Sequence, residues 1–104
     1  MNQTKGPKHD QGKSPVQLIP SDPLMQIGDV FGFGAKKYTK DSWKLGIEVE
    51  RLIGASMRHI LSFKDGEDTD PESGISHLAH AATNLLMAMW MQKNKPEMDD
   101  RSKK

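Results

Sequence analysis

A chain of 104 residues is long enough for one domain, and its formal net charge of +1 gives no bulk attraction to DNA, RNA or an anionic membrane. The absence of cysteine excludes a disulfide scaffold, a zinc knuckle and a thiol nucleophile. Hydrophobic residues make up 35% of the chain, which is low for a self-sufficient core at this size, so we expect a homo-oligomer, a dimer or larger, to complete the core.

The composition divides the chain into three parts. Residues 1–16 are polar and lack the apolar segment of a signal peptide, so they are expected to form a flexible tail. Apolar residues recur over 17–93, the expected helical domain, and 94–104 is again expected to be a flexible tail. The longest apolar run, Leu85–Met91, is far shorter than the roughly 20 residues that span a bilayer, which favours a cytoplasmic protein.

The first helix is predicted to begin where Ser21 and Asp22 precede Pro23, since a cap residue followed by proline is typical of helix starts. Apolar residues then recur at helical spacing: Leu24, Ile27, Val30 and Phe31. Gly32 and Gly34 are expected to end or break this helix, with a further short turn or helix over 35–38.

Two longer amphipathic helices follow. The second is predicted over about 47–63, with an apolar stripe of Val49, Leu52, Ile53, Met57, Ile60 and Leu61. The third is predicted over about 76–93 and is capped by Ser73 or Ser76. Its stripe consists of Leu78, Ala82, Leu85, Leu86, Met89 and Trp90. No segment alternates with a period of two, so the sequence predicts an all-α fold, a small helical bundle completed by oligomerisation.

The loop between these two helices, 65–74, is unusually acidic. It carries five carboxylates within eight residues, and its two glycines and one proline favour turns over helix: the acids are Asp65, Glu67, Asp68, Asp70 and Glu72. Carboxylates are ligands for Mg²⁺, although a solvated acidic loop without a metal explains the same composition. The glycine and ligand order of an EF-hand are missing.

Polar residues on the two long helices form a second group of candidate site residues. His77, His80 and Asn84 share one face of the third helix, and Arg58 and His59 lie largely off the stripe of the second. If the helices pack antiparallel across the acidic loop, these groups meet the carboxylates at one end. Arginine and histidine then contact phosphate oxygens while carboxylates hold a metal. The histidines can instead cap a helix, form a hydrogen-bond network or contribute to a zinc site.

The segment 36–38 has two interpretations as well. It is either an exposed basic turn or a contact with phosphate and base, made by Lys36, Lys37 and Tyr38. Trp43 and Trp90 are most simply core or subunit-interface residues, with base stacking as the alternative.

Taken together, these motifs resemble a known family, the dATP/dGTP diphosphohydrolase N-terminal domain, a short domain associated with phages. The resemblance covers roughly 13–90. The residues that carry it are Leu18-Ile19-Pro20, Gly34-Ala35-Lys36-Lys37-Tyr38, Trp43, Gly46, Arg58-His59, Gly66-Glu67-Asp68, Asp70, Glu72-Ser73-Gly74, His77-Leu78-Ala79-His80-Ala81 and Asn84.

The resemblance implies a helical fold akin to the all-α NTP pyrophosphatases of the MazG type, which work as dimers or tetramers with Mg²⁺. The implied partner is a purine deoxynucleoside triphosphate, hydrolysed to the monophosphate and pyrophosphate in the host cytoplasm. MazG-type enzymes carry paired glutamates on one helix and Glu-x-x-Asp on the next. Here the second helix has only Glu48 and Glu50 near its start, and the third has His77 and His80.

Within this resemblance, each candidate residue receives a role. Mg²⁺, or Mn²⁺, is expected on Glu67, Asp68, Asp70 and Glu72. The expected catalytic residues, which position water or the phosphate chain, are His59, His77 and His80. The expected substrate-binding residues are Lys36, Lys37, Tyr38, Arg58 and Asn84.

Two other functions remain open from the sequence. The same scaffold can hold a nucleotide without cleaving it and so sequester a nucleotide signal of host defence, a cyclic one included. Alternatively, the polar cluster is a buried hydrogen-bond network that only fixes helix packing.

Overall fold

The computed structural model describes residues 11–103, and three α-helices make up most of that part. They are α1 (Ser21–Lys37), α2 (Val49–Lys64) and α3 (His77–Asn94), accompanied by short 3₁₀ turns at Val16–Leu18, Ser42–Leu45 and Pro96–Met98. Among the described residues, strand-like pairing is confined to one isolated bridge between Thr69 and Ser76. The all-α prediction is confirmed. No helix in 11–103 has the length and apolar character needed to cross a membrane.

Helix α1 begins at Ser21 as predicted, but it continues without interruption through Gly32 and Gly34 to Lys37. The expected break at the glycines is wrong. Glycine lowers helix stability by only about 1 kcal/mol relative to alanine, and packing offsets a cost of that size. Here α1 packs against α3, with the ring of Phe33 edge-on to His80 at 6.4 Å between centroids.

Helices α2 and α3 form an antiparallel hairpin. The start of α2 packs against the end of α3, where Val49, Leu52 and Met91 form the apolar core. Further along, the Ser56 hydroxyl donates a hydrogen bond to the Ala81 carbonyl at 3.1 Å. The side chains partly buried around this core come from the segment before α2, from the two helices of the hairpin and from the turn after α3: Trp43, Ile47, Ile53, Met87, Ala88, Trp90 and Met98.

The apolar stripes of the sequence are not the buried faces of these helices. On α2 the outer residues of the stripe are exposed, namely Met57, Ile60 and Leu61. On α3 the same holds for Leu78, Leu85, Leu86 and Met89, whereas the buried residues there are His77, Ala79, Ala81, Thr83 and Met91. Polar residues are tolerated inside because each is hydrogen-bonded; the Thr83 hydroxyl, for example, donates to the Ala79 carbonyl at 2.8 Å.

The segment after α3 returns to the start of α2. Met98 packs on the core and its sulfur lies 3.1 Å from the position a Cβ would take at Gly46, a residue with φ of +133°. The carboxylate of Asp100 accepts a hydrogen bond at 2.9 Å from the backbone N–H of Glu50, in the first turn of α2. Residues 98 and 100 of the segment predicted to be a flexible tail, 94–104, therefore contact the bundle. Residues 1–10 of the predicted N-terminal tail and residue 104 lie outside the described residues.

Candidate functional site

The acidic loop folds into a defined turn at the start of α3. The Asp70 carboxylate accepts a hydrogen bond at 3.0 Å from the backbone N–H of Ser73, and the Gly74 N–H donates at 2.7 Å to the Asp70 carbonyl. Gly74 has φ of +72°, a conformation that glycine adopts without strain. Ser76 then caps α3, as the sequence allowed, because its side chain accepts from the Leu78 N–H. This turn holds the Asp70 carboxylate in place.

Three imidazoles meet beside Asp70. The Nδ1 atoms of His59 and His77 are 2.8 Å apart, and the rings of His59 and His80 stack with centroids 4.6 Å apart and an interplanar angle of 11°. His77 is only 3% exposed. The antiparallel hairpin thus brings together all three histidines that the sequence predicted as catalytic.

The outer nitrogens of two of these rings are also engaged. The Nε2 of His77 lies 2.6 Å from a carboxylate oxygen of Glu67, and the Nε2 of His80 lies 2.6 Å from the Ser73 hydroxyl. An ionised carboxylate only accepts hydrogen bonds, so Nε2 of His77 carries the proton toward Glu67. When the proton is on Nε2, the Nδ1 atom of His77 has no hydrogen, and its lone pair faces His59.

Burial controls the charge of this cluster. It lowers the pKa of His59, and the neighbouring His80 and His77 add to that effect while Asp70 opposes it. Burial likewise lowers the pKa of His80, again against the attraction of Asp70. For Asp70, burial acts to raise the pKa, but the Ser73 N–H and the nearby imidazoles outweigh it and the net shift is downward. The lowered pKa values favour neutral imidazoles at His59 and His80 and an ionised carboxylate at Asp70 at neutral pH.

A cleft of about 820 Å³ opens beside the cluster, between α1, the 38–47 segment and the two long helices. His59 and His80 line one side, together with Thr83 and Asn84. The other side carries three lysines and two aromatic residues: Lys37, Lys40, Lys44, Tyr38 and Trp43. The indoles of Trp43 and Trp90 pack edge to face at 5.0 Å, so Trp43 has a structural role in the wall of the cleft.

The predicted substrate-binding residues divide between this cleft and the surface around it. Lys37, Tyr38 and Asn84 line the cleft, whereas Lys36 and Arg58 are exposed and lie outside its lining. Sequence reasoning missed Lys40 and Lys44. Their only sequence signal is that they continue the basic run that begins at Lys36.

The four acids predicted as metal ligands do not converge. Only Asp70 belongs to a potential ligand set: one ligand atom each from His59, Asp70 and His77 lies within 4.8 Å of the others. Glu67 contacts His77, and Glu72 forms a salt bridge of 2.6 Å with Lys37. Asp68 is exposed and contributes its backbone carbonyl, which accepts from the His77 N–H at 3.0 Å.

Comparison with known proteins identifies the family. The family model of the dATP/dGTP diphosphohydrolase N-terminal domain matches residues 3–101. The chain belongs to this family. It is also 40% identical over 96 residues to the dATP/dGTP diphosphohydrolase of Salmonella phage PMBT28. That match covers 92% of this chain and 33% of the relative, so the chain spans about a third of the length of this relative.

The resemblance seen in the sequence motifs is therefore confirmed at the level of the family. No solved structure shows a significant match to the chain, and the relation to MazG-type pyrophosphatases stays a prediction.

Proposed function

We propose that this chain is the nucleotide-handling part of a purine deoxynucleoside triphosphate diphosphohydrolase, which converts dATP or dGTP to the monophosphate and pyrophosphate. The name of the phage relative supports the reaction. The observation that carries the proposal is the cleft, because it places lysines on one wall and neutral imidazoles on the other. Its location is proposed to be the host cytoplasm, where deoxynucleoside triphosphates are used.

The cleft suits a nucleoside triphosphate in size and charge. Its volume of about 820 Å³ falls within the range of roughly 300–1,000 Å³ that small-molecule sites occupy. Lys40 and Lys44 line it and neutralise phosphate oxygens in the proposed complex. Lys37 lines the same cleft and is paired with Glu72 in the free chain. The exposed ring of Tyr38 offers a stacking surface for the base, and the side-chain amide of Asn84 is suited to hydrogen-bond the base or sugar.

The proposed reaction is an attack of water on the α-phosphorus. A bond forms from the water oxygen to that phosphorus, the bond to the bridging oxygen of the β-phosphate breaks, and pyrophosphate leaves. The neutral imidazole of His80 on the cleft wall orients the water and accepts its proton, and His59 stacks against it. The lysines stabilise the charge that develops on the phosphate oxygens.

The residues present do not fit Mg²⁺, the ion expected from the sequence. Mg²⁺ prefers oxygen ligands in octahedral geometry, whereas the set that converges has two imidazoles and one carboxylate. Two of the four predicted acids are engaged elsewhere, Glu67 by His77 and Glu72 by Lys37. We therefore assign no step of the reaction to Mg²⁺, nor to Mn²⁺, the alternative expected from the sequence.

The test is to incubate the chain with dATP, dGTP, ATP and GTP, with and without Mg²⁺ or Mn²⁺, and to separate the products by chromatography. We expect monophosphate and pyrophosphate from the purine deoxynucleotides. Intact nucleotides under every condition would contradict the enzymatic function. If these intact nucleotides still raise the melting temperature, the chain is a nucleotide-binding protein that does not cleave.

We also propose that a second copy of the chain covers the exposed apolar residues of the hairpin. Met89 of α3 is 70% exposed, and Leu78 and Leu85 lie on the same face of that helix. On α2, Met57 and Leu61 are exposed as well. Apolar residues repeated along one face are typical of an interface. Light scattering at micromolar concentration should show at least a dimer, and a monomer would contradict the proposal.

A further inference from the structure

We propose that His59, Asp70 and His77 bind one first-row transition-metal dication, such as Mn²⁺ or Co²⁺, in preference to Mg²⁺, and that Glu67 is the positioning residue for His77. This site adds a metal ion to the proposed function. Only the use of the ion in hydrolysis rests on that function. Metal binding itself is tested without any nucleotide, so the two proposals fail separately.

The first argument is the convergence of three donors from separate elements. His59 comes from α2, Asp70 from the acidic loop and His77 from the first turn of α3, yet their ligand atoms lie within 4.8 Å of one another. His77 is buried and the other two are half-buried, which limits competition from solvent. Two imidazole nitrogens 2.8 Å apart, as in His59 and His77, either share one proton or ligate one cation.

The second argument is the support behind the donors. Metal-bound histidines usually donate their other ring N–H to a carboxylate, which fixes the ring and strengthens the ligand. Glu67 makes this contact with Nε2 of His77 at 2.6 Å, so Nδ1 is the atom left to face His59. Asp70 is held in the same way, since one of its oxygens accepts from the Ser73 N–H at 3.0 Å.

The third argument is the chemistry of the set. Imidazole suits Fe²⁺, Ni²⁺ and Zn²⁺, and the affinity of a site with nitrogen ligands rises along the first row from Mn²⁺ through Co²⁺. Mg²⁺ dehydrates reluctantly and selects oxygen. With a single carboxylate among three donors, the site lacks the oxygen ligands by which Mg²⁺ competes. His80 stacks on His59 outside the three donors and is thereby left to act on water.

The experiment uses the full chain after treatment with a chelator. Mn²⁺ and Co²⁺ are titrated by calorimetry, and Co²⁺ is also followed by its visible absorption in the presence of 1 mM Mg²⁺. We expect one ion per chain, with little displacement by Mg²⁺. Equal affinity for Mg²⁺ and Mn²⁺ would overturn the proposal.

Variants test the assignment of the ligands. Asp70→Asn and His77→Gln should each weaken Co²⁺ binding by at least tenfold, and Glu67→Gln by roughly 10- to 100-fold, as for carboxylates behind a metal-bound histidine. Asp65→Asn removes the same charge from the same loop and should leave the affinity unchanged. Equal losses in Asp68→Asn, Glu72→Gln and Asp70→Asn would show that the loop acts only as a diffuse acidic surface and would overturn the proposal.

A measurement on the unaltered chain tests the same site without relying on variants, which can fail to fold. Mn²⁺ broadens the nuclear magnetic resonance signals of groups near the ion. We expect substoichiometric Mn²⁺ to broaden the ring signals of His59 and His77 first, while the methyl signals of Met91 and Met98 at the apolar end persist. Broadening of the acidic-loop signals with sharp imidazole signals would contradict the proposed site.

Discussion

The two ends of the α2–α3 hairpin are built differently. At one end Val49, Leu52 and Met91 pack as an apolar core, closed by Met98. At the other end the helices meet through His59 and His77, and Glu67 lies behind the latter. Apolar contacts tolerate small shifts, whereas hydrogen bonds and ligand sets depend on position and direction. The first end therefore holds the fold together, and the second carries the proposed site.

The largest effect should come from shortening the core side chain at the apolar end. Met91 is fully buried, and Met91→Ala removes buried apolar volume and leaves a cavity. We expect the free energy of unfolding to fall by about 2–5 kcal/mol. Urea denaturation measures it, with Gln92→Ala as the exposed control on the same helix. An equal loss in the control would show that the loss does not come from the core cavity.

The next effect concerns the basic wall of the cleft. Lys44→Gln shortens the side chain by one atom and removes its charge. We expect kcat/KM for dATP or dGTP to fall about 10- to 100-fold, which corresponds to about 1.4–2.7 kcal/mol of transition-state stabilisation. Lys93→Gln is the matched control, because Lys93 is exposed and outside the cleft lining. Unchanged kinetics in Lys44→Gln would remove this lysine from the proposed phosphate site.

A smaller effect on stability is expected from a substitution in the middle of the hairpin. Ser56 is buried and donates to the Ala81 carbonyl, so Ser56→Ala removes a buried hydrogen bond between the two helices. We expect a loss of about 1 kcal/mol in the free energy of unfolding. Chemical denaturation measures this loss, and Ser62→Ala on the same helix is the comparison. A gain in stability in Ser56→Ala would show that the small side chains alone set the helix spacing.

The smallest effect is a pH dependence at the apolar end. Hydrogen bonds from Arg101 and then Lys103, against the opposing effect of burial, hold the pKa of Asp99 well below its usual range. A depressed carboxyl pKa stabilises the fold above the unfolded pKa of about 3.9, and this stabilisation is lost as the pH falls below it. Asp99→Asn should lower the melting temperature slightly at pH 7 and progressively less below pH 4. A difference that is constant with pH would mean that the ion pairs do not contribute.

The sequence predicts the hairpin closely, because two long segments with helical periodicity are separated by a loop rich in turn residues. The start of α2 lies within two residues of its expected position, and Ser76 caps α3. It does not predict the continuation of α1 through Gly32, because intrinsic propensity is weaker than packing against a neighbouring helix.

The site was harder to predict than the fold. The motif around His77 and His80 leads to the family, and helix geometry places them near His59 once the helices run antiparallel. The partners of the acids are not readable from spacing, because the turn at Asp70 decides which carboxylate points inward. The buried face of α3 is also not predictable from hydropathy. Hydropathy favours burial of Leu85, whereas Thr83 is buried because its hydroxyl is hydrogen-bonded.

The 2.8 Å distance between the Nδ1 atoms of His59 and His77 depends on the register of α2 and α3. A shift of α3 by one turn would move it about 5.4 Å along α2 and separate the two nitrogens completely. An insertion in the loop at 65–76 can therefore preserve the helices and still abolish the donor set. Conversely, an ion held between the helices would tie the hairpin together at the end where apolar packing is weakest, and it would stabilise the folded chain in proportion to the logarithm of its concentration.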